Sequence, residues 1–302
     1  MELAMIGLGK MGGNMSERLI RGGHRVVAFD VSPDAVKKAV AIGAEGANTL
    51  AEAVKKLAAP RVFWVMVPSG KITDMTITAL SQEAEPGDII IDGGNSYYKD
   101  SLRHARELEE KGLHFVDVGT SGGVWGLKEG YALMVGGDKA ITDRLTPIFE
   151  TLAPAKDKGW GRVGPAGAGH FTKMVHNGIE YGLMQAYAEG FEIMHEKKDF
   201  DLDLHQVSEI WRYGSVVRSW LLDLTAGVLA QDPTLDDLEA YVPDSGEGRW
   251  TVAEAIDLDV AAPVITLSLQ RRIRSRQAAP FSEKLLSAMR NAFGGHETKK
   301  AR

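Results

Sequence analysis

Residues 173–181, KMVHNGIEY, contain five side chains that can donate, accept or carry a proton: Lys173, His176, Asn177, Glu180 and Tyr181. They recur at i, i+3, i+4, i+7 and i+8, so a helix would place them on one face within about 140°. The pattern fits either the solvated face of a surface helix or one wall of a site. Acid–base chemistry is what a lysine and a glutamate two turns apart could perform.

A second candidate site is the glycine-rich segment 7–12, GLGKMG, which follows an apolar run and precedes a helical pattern. In this context a G-x-G-x-x-G segment predicts a dinucleotide-binding turn. Gly7 permits the tight turn, Gly9 lets the backbone approach a pyrophosphate, and Gly12 allows close packing of helix on strand. The helix N-terminus offers free N–H groups to the anion. An ordinary strand–helix turn is the alternative.

Asp30 ends the next predicted strand, HRVVAFD (24–30). A carboxylate there accepts hydrogen bonds from the ribose hydroxyls of NAD and repels the 2′-phosphate of NADP. No arginine follows at 31–33 to reverse this preference. The alternative is that Asp30 caps the next helix, but Ser32 is the expected cap of that helix. NAD is therefore favoured over NADP.

Two further predicted strands end in VMVPSG (65–70) and DGGNS (92–96), at the same end of the sheet as the glycine turn. Ligands of open α/β sheets bind beyond the carboxyl ends of the strands. Asn95 is a candidate polar contact there, although a simple turn explains DGGNS equally well.

The elements that must position these residues change in type along the chain. Apolar runs at 2–7, 24–30, 61–67, 88–94, 113–119 and 132–137 alternate with helical patterns. This alternation predicts a doubly wound parallel sheet of the Rossmann type, covered on both faces. Helical patterns alone follow, at about 167–196, 203–214, 216–230, 234–241, 249–257, 262–276 and 280–293. We therefore expect an α/β dinucleotide-binding domain at 1–163 and a helical domain at 164–302.

Composition narrows the function classes. The net charge of −6 gives no overall attraction for nucleic acid or an anionic membrane. No cysteine occurs, which excludes thiol catalysis, disulfides and thiolate metal sites, and no metal site is expected. The sequence shows no secretory signal and no apolar run of about 20 residues, so a cytoplasmic enzyme is expected.

Five segments together resemble the 6-phosphogluconate dehydrogenase family in its short form, and their order and spacing match from end to end. They are IDGGNS (91–96), TSGGVWG (120–126), GAGHFTKMVHNGIEYG (167–182), GEGRWT (246–251) and RNAFGGH (290–296). The resemblance implies oxidative decarboxylation of 6-phosphogluconate to ribulose 5-phosphate and CO₂ in the pentose phosphate pathway.

The resemblance also implies roles for the helical stripe. Lys173 is the base for the substrate C3 hydroxyl and then the acid at the ketone oxygen, and Glu180 protonates C1 of the enediol. These roles need a neutral lysine and a protonated glutamate, which desolvated surroundings favour. His176 and Asn177 orient the substrate, and Tyr181 contacts its phosphate.

Other residues match the family by position. The cofactor set adds Leu8, Met11 and Val67 to the glycines and Asp30. The Ser121-Gly122-Gly123 loop and Asn95 are expected to hold the substrate. Its phosphate is assigned to Arg272, with Arg274 as the fallback one step out of register. Arg290 and His296 match the family's tail residues and are expected to bind the substrate. The chain departs from the long forms at Ser245 and Glu247, which stand where those forms have a phosphate-binding lysine and threonine.

The resemblance finally implies a homodimer or dimer of dimers in which Arg290 and His296 complete the site of the neighbouring subunit. The apolar stripe of Leu285, Leu286, Met289 and Phe293 suits docking on another surface. A tail folded on its own chain is the alternative.

A β-hydroxyacid dehydrogenase of the hydroxyisobutyrate type and a non-catalytic NAD sensor are the competing functions.

Overall fold

The computed structural model describes residues 1–299 as eight strands, thirteen α-helices and two short 3₁₀ turns. The strands are β1 (Glu2–Ile6), β2 (Arg25–Phe29), β3 (Glu45–Gly46), β4 (Val62–Val65), β5 (Ile89–Asp92), β6 (His114–Ser121), β7 (Ala132–Gly137) and β8 (Trp160–Gly164). The first seven helices are α1 (Lys10–Arg21), α2 (Pro33–Ala41), α3 (Leu50–Lys55), α4 (Lys71–Glu83), α5 (Tyr98–Glu109), α6 (Gly126–Glu129) and α7 (Lys139–Leu152). The others are α8 (Ala168–Glu196), α9 (Leu204–Arg212), α10 (Trp220–Gln231), α11 (Glu247–Asp257), α12 (Pro263–Ser275) and α13 (Phe281–Gly294).

The strands form one sheet in the order β3-β2-β1-β4-β5-β6-β7-β8. All neighbours are parallel except β6 and β7, which pair antiparallel from Val116 opposite Gly137 to Ser121 opposite Ala132. The predicted doubly wound sheet is confirmed, and it is mostly rather than wholly parallel. A parallel crossover needs about a dozen or more residues, and the segment between β6 and β7 is too short to provide one.

Both faces of the sheet are buried. In β1, Leu3 and Met5 belong to one apolar cluster, while Ala4 and Ile6 belong to another. Because successive side chains of a strand point to opposite faces, these two clusters are the cores under the two helical layers. The strand order reverses between β1 and β4, so the carboxyl ends of those strands border the crevice where such sheets bind ligands.

The chain divides into two compact units, Met1–His176 and the remainder from Asn177 onward. Helix α8 is continuous through this division. The second unit is helical, and its apolar cluster has only three buried members, Phe191, Leu222 and Leu229. The predicted domain boundary at 163/164 stays a prediction.

No helix within residues 1–299 is both long and apolar enough to cross a membrane.

Some elements differ from the sequence expectations. The helix predicted at 234–241 is wrong: the segment forms turns and bends, because Leu235 adopts a positive φ of 57°, a left-handed conformation that a right-handed helix does not contain. The helix predicted from 216 begins at Trp220, because Ser219 caps it by accepting from Leu222 N–H.

Candidate active site

The glycine turn after β1 has the geometry that a dinucleotide site requires. Gly7 has a φ of 96°, and a Cβ there would lie 2.4 Å from the Met66 carbonyl oxygen. A Cβ on Gly12 would lie 2.0 Å from the Gly7 carbonyl oxygen, so α1 packs directly on the turn. A Cβ on Gly9 would meet no protein atom within 4 Å. Gly7 and Gly12 are thus required by the protein itself, whereas the absence of a side chain at Gly9 leaves the backbone open to a ligand.

The Asp30 carboxylate holds this turn in place. One oxygen accepts from Leu8 N–H at 2.6 Å, and the other accepts from Ser32 N–H at 2.8 Å. Ser32 occupies the N-cap position of α2, but its side chain makes no capping hydrogen bond, contrary to expectation. A carboxylate has about four acceptor sites, so Asp30 retains capacity for ribose hydroxyls.

Other predicted cofactor residues border the same turn. Val67 follows β4, and its side chain would lie 2.8 Å from a Cβ on Gly7. Met11 lies in the first turn of α1 and packs on the apolar cluster that contains Leu3 and Met5 of β1. Asn95 follows β5, and its side-chain oxygen accepts from Thr120 N–H at 3.4 Å. Asn95 thereby links the ends of β5 and β6.

The Ser-Gly-Gly loop leaves the end of β6. Ser121 is the last residue of that strand, and Gly122 and Gly123 both have positive φ, at 132° and 51°. These backbone angles are rarely adopted by other residues. The loop continues into a 3₁₀ turn at Gly123–Trp125.

In the first unit, Lys173 is the buried member of the predicted catalytic stripe. Its side chain is 4% exposed, and its Nζ lies 3.3 Å from Nδ1 of His176. A Cβ on Gly119 of β6 would lie 2.3 Å from the Cβ of Lys173. The lysine therefore sits directly on the strand that leads into the Ser-Gly-Gly loop.

The rest of the stripe follows on the same helix, in the second unit. Asn177 and Glu180 are half-buried, and Tyr181 is buried. At about 1.5 Å per residue, α8 separates Lys173 from Glu180 by about 10 Å along its axis. Among the apolar residues of this part of α8, Met174 is buried, whereas Ile179 and Leu183 are exposed.

Arg272 of α12 is stacked on the ring of Tyr181, with 3.5 Å between its guanidinium carbon and the ring centroid. The Tyr181 hydroxyl is buried and has no hydrogen-bond partner among the described residues. Arg274 instead forms a two-pronged pair with Glu283, both contacts being 2.9 Å. Within residues 1–299, Arg272 pairs with no carboxylate, which makes it the better placed of the two for an anion.

Glu247 begins α11 and is only 7% exposed. Its carboxylate accepts a short hydrogen bond from the Ser245 hydroxyl. The two residues that replace the family's phosphate ligands are thus paired with each other.

The predicted tail residues lie at the end of α13. Arg290 is within the helix and His296 follows its αL cap at Gly295; both are exposed. No residue of α13 is buried, and Phe293 is 95% exposed.

One buried residue near Lys173 was missed by sequence reasoning. Asp117 of β6 is fully buried, and its carboxylate accepts from the N–H groups of Gly167 and His170. The signal was an acidic residue inside the apolar run HFVDVG, because a fully buried carboxylate requires partners.

Within the described residues, no cluster of three or more His, Asp or Glu could hold a metal ion.

Comparison with known proteins gives two family matches. Residues 2–161 match the NAD binding domain of 6-phosphogluconate dehydrogenase, and residues 169–284 match the C-terminal domain of 6-phosphogluconate dehydrogenase. The Bacillus subtilis protein YqeC is 46% identical over 300 residues, which cover 99% of this chain and all of that protein.

Two further relatives carry functional names. The NAD⁺-dependent, decarboxylating 6-phosphogluconate dehydrogenase of Haloferax volcanii is 43% identical, with 98% of each chain covered. The 6-phosphogluconate dehydrogenase of Plasmodium falciparum, solved in its apo form and with NADP⁺ or 6-phosphogluconate, is 29% identical with a TM-score of 0.83. The match covers 97% of this chain and 65% of the Plasmodium chain.

Proposed function

The chain belongs to the 6-phosphogluconate dehydrogenase family, and we propose that it oxidises and decarboxylates 6-phosphogluconate to ribulose 5-phosphate and CO₂, with NAD as the hydride acceptor. The observation that carries this proposal is the burial of Lys173 beside His176, on a helix that also carries Glu180. A lysine removed from water loses part of the hydration that favours its charged form, which suits a base.

The residues of the glycine turn fit a dinucleotide. The open backbone at Gly9, at the N-terminus of α1, suits the pyrophosphate, and the Asp30 carboxylate suits the ribose hydroxyls. When bound there, NAD would supply the hydride acceptor for the oxidation of C3 of the substrate.

Lys173 and Glu180 divide the proton transfers between them. Neutral Lys173 takes the proton of the C3 hydroxyl as C3 is oxidised to a ketone. The ketone is β to the carboxylate, so the C1–C2 bond of the 3-keto acid breaks and releases CO₂ while Lys173 returns its proton to the ketone oxygen. Protonated Glu180 then delivers a proton to the carbon that lost CO₂, while Lys173, again neutral, takes the proton back from the enol oxygen, which gives the 2-ketose.

Substrate orientation falls to the residues around these two groups. His176 and Asn177 lie between Lys173 and Glu180 in the sequence of α8, and Asn95 and the Ser121-Gly122-Gly123 loop end the neighbouring strands. The phosphate is assigned to Arg272, whose stacking on Tyr181 fixes the guanidinium plane. The Ser245–Glu247 pair takes no part in phosphate binding.

NAD is proposed over NADP because the Asp30 carboxylate ends β2 and is fixed by two backbone N–H groups. A fixed negative charge at this place disfavours a 2′-phosphate. The relatives include both an NAD⁺-dependent enzyme and one solved with NADP⁺, so the preference rests on Asp30 of this chain.

A second subunit is proposed to receive α13. The helix buries none of its own residues, and its stripe Leu285, Leu286, Met289 and Phe293 is exposed. The helical unit has a small core and gains stability by covering such surfaces on association. Arg290 and His296 would then act in the site of the neighbouring protomer.

Two variants test the reaction. Lys173→Met should abolish both hydride transfer and CO₂ release, because one group serves both steps. Glu180→Gln should retain a rapid first burst of NADH while later turnovers slow, because the proton donor acts after oxidation. Lys139→Met, which removes an exposed lysine of α7, is the control and should match the unaltered enzyme. Substantial activity in Lys173→Met would contradict the proposal.

The second subunit is tested by mixing two inactive proteins, Lys173→Met and His296→Ala. Shared sites should restore part of the activity, because some sites in the mixed dimers contain both an intact lysine and an intact histidine. Subunit exchange is verified separately with differently tagged chains. A mixture that exchanges and stays inactive would show that the tail does not act in the neighbouring site.

A further inference from the structure

Helix α8 begins without a capping side chain of its own. The residue before it is Gly167, with a φ of 88°. The first N–H groups of a helix have no partner within the helix, and burying them without an acceptor is costly. The acceptor here comes from another element. Asp117 of β6 accepts from Gly167 N–H at 2.7 Å through Oδ1 and from His170 N–H at 2.8 Å through Oδ2.

The Asp117 carboxylate is completely enclosed. It is 0% exposed, and the residue opposite it on β7 is Gly136, where a Cβ would lie 2.5 Å from Oδ1. Gly169, in the first turn of α8, is similarly constrained, because its Cβ would lie 2.4 Å from the Met134 carbonyl oxygen. The helix start therefore lies backbone against backbone on β6 and β7, around a single buried charge. Two N–H bonds and the positive end of the helix dipole offset the desolvation of that charge.

The same face of β6 then supports Lys173. Side chains two residues apart on a strand point to the same side, so Asp117 and Gly119 face α8 together. Asp117 binds the first turn of the helix, and the Cβ of Lys173 lies over Gly119 so closely that no side chain fits there. A shift of the helix start would therefore move the lysine along or away from this strand.

We propose that Asp117 is a positioning residue of the reaction, which sets the place of Lys173 by capping α8 from β6. The proposal rests on the function proposed above for Lys173. A second contact supports the same turn, since Nδ1 of His170 lies 2.6 Å from the Ser101 hydroxyl of α5. The backbone of the turn is held by Asp117 and the side chain of His170 by Ser101.

The test compares Asp117→Asn with Asp88→Asn. Asp88 is equally buried and accepts from the N–H groups of Arg61 and Glu85, but it lies before the first residue of β5, whereas Asp117 pairs with Asp92 at the carboxyl end of that strand. An asparagine at 117 can accept only one of the two N–H bonds, because its NH₂ group faces the other. A displacement of about 1 Å lowers a rate by about 100-fold, so we expect kcat of Asp117→Asn to fall by about that factor. Its KM for NAD should stay within about twofold, because the glycine turn is left intact.

Asp88→Asn should lose comparable thermal stability and keep its kcat, with both variants assayed well below their melting temperatures. Equal kcat values for the two variants would overturn the positioning role. Asp117→Ser, which keeps one short acceptor, should show an intermediate kcat, and a kcat equal to that of the unaltered enzyme would also overturn it.

If neither variant at 117 folds, hydrogen exchange on the unaltered protein decides. The amides of Gly167 and His170 should exchange as slowly as the interior of α8, and rapid exchange would refute the cap. A failure of the proposed function can be told apart from a failure of the positioning inference. If Lys173→Met is active, the proposed function fails. If Lys173→Met is inactive and Asp117→Asn is fully active, the proposed function stands and only the positioning inference fails.

Discussion

Gly12→Ala tests the dinucleotide turn at the point where the structure leaves least room. The added Cβ would lie 2.0 Å from the Gly7 carbonyl oxygen, and ordinary contact begins at 3.4 Å. Helix α1 must therefore move by about 1.4 Å, or the turn must open by as much. Either change displaces the N–H groups proposed to hold the pyrophosphate.

The expected loss has two parts. Overpacking of this kind lowers the free energy of unfolding by about 1–3 kcal/mol. Loss of one well-placed N–H bond to the pyrophosphate costs about 1.5–3 kcal/mol, so the Kd for NAD should rise by about 10- to 100-fold. Isothermal titration with NAD and urea unfolding measure the two quantities on the same preparation.

Gly13→Ala is the matched control, one residue further along the same helix. Its Cβ would lie 3.6 Å from the Leu8 carbonyl oxygen, which is ordinary contact. Alanine within a helix is favoured over glycine by about 0.5–1 kcal/mol, so this variant should be slightly more stable and bind NAD normally. The reasoning is refuted if Gly12→Ala binds NAD as tightly as the unaltered protein, or if Gly13→Ala loses binding to the same extent.

Three other outcomes are expected. Asp30→Ala should lower kcat/KM with NAD by about 10-fold or more and raise the NADP-to-NAD ratio, and a native preference for NADP would contradict this. Arg272→Ala should raise KM for 6-phosphogluconate about 100-fold and leave KM for gluconate unchanged, whereas Arg274→Ala should do neither; the reverse pattern would select Arg274. Hydrogen bonds from Arg249 and Arg276 lower the pKa of Asp244 from 3.8 to about 2, so Asp244→Asn should cost about 2 kcal/mol at neutral pH. That difference should be complete above about pH 4 and vanish as the pH falls through about 2; a pH-independent difference would contradict it.

The sequence predicted the parts of the fold that carry strong periodicity. The parallel strands of the first unit and helix α8 were recognised because buried strands read as continuous apolar runs and helices repeat every 3.6 residues. Elements with few apolar residues were missed. Strand β8 (Trp160–Gly164) is absent from the predicted strands, because it lies at the sheet edge and buries no side chain fully.

The short elements and the antiparallel strand could not be predicted from the spacing of apolar residues, for other reasons. Strand β3 has two residues and helix α3 has six, too few for a period to show. The antiparallel direction of β7 is set by the length of the connection and the pairing with β6, which no local pattern records. The failed helix at 234–241 had helical spacing, but the left-handed conformation of Leu235 interrupts it, and spacing alone does not record that conformation.

For the candidate site, residue types were predictable and their mutual arrangement was not. The spacing of KMVHNGIEY placed Lys173 and Glu180 on one helical face, and the helix is present. That Lys173 would be buried over Gly119, and that Arg272 would stack on Tyr181, depends on contacts between elements far apart in sequence. The roles of these residues in catalysis stay predictions.

The most direct measurement of the central claim is the stoichiometry of one reaction. The purified protein is incubated with NAD and 6-phosphogluconate, and NADH, CO₂ and ribulose 5-phosphate are quantified in the same vessel. Equal amounts of all three are expected from the unaltered protein, and none of them from Lys173→Met. Formation of NADH without CO₂ would contradict it, because the chain would then be a hydroxyacid dehydrogenase that oxidises without decarboxylating.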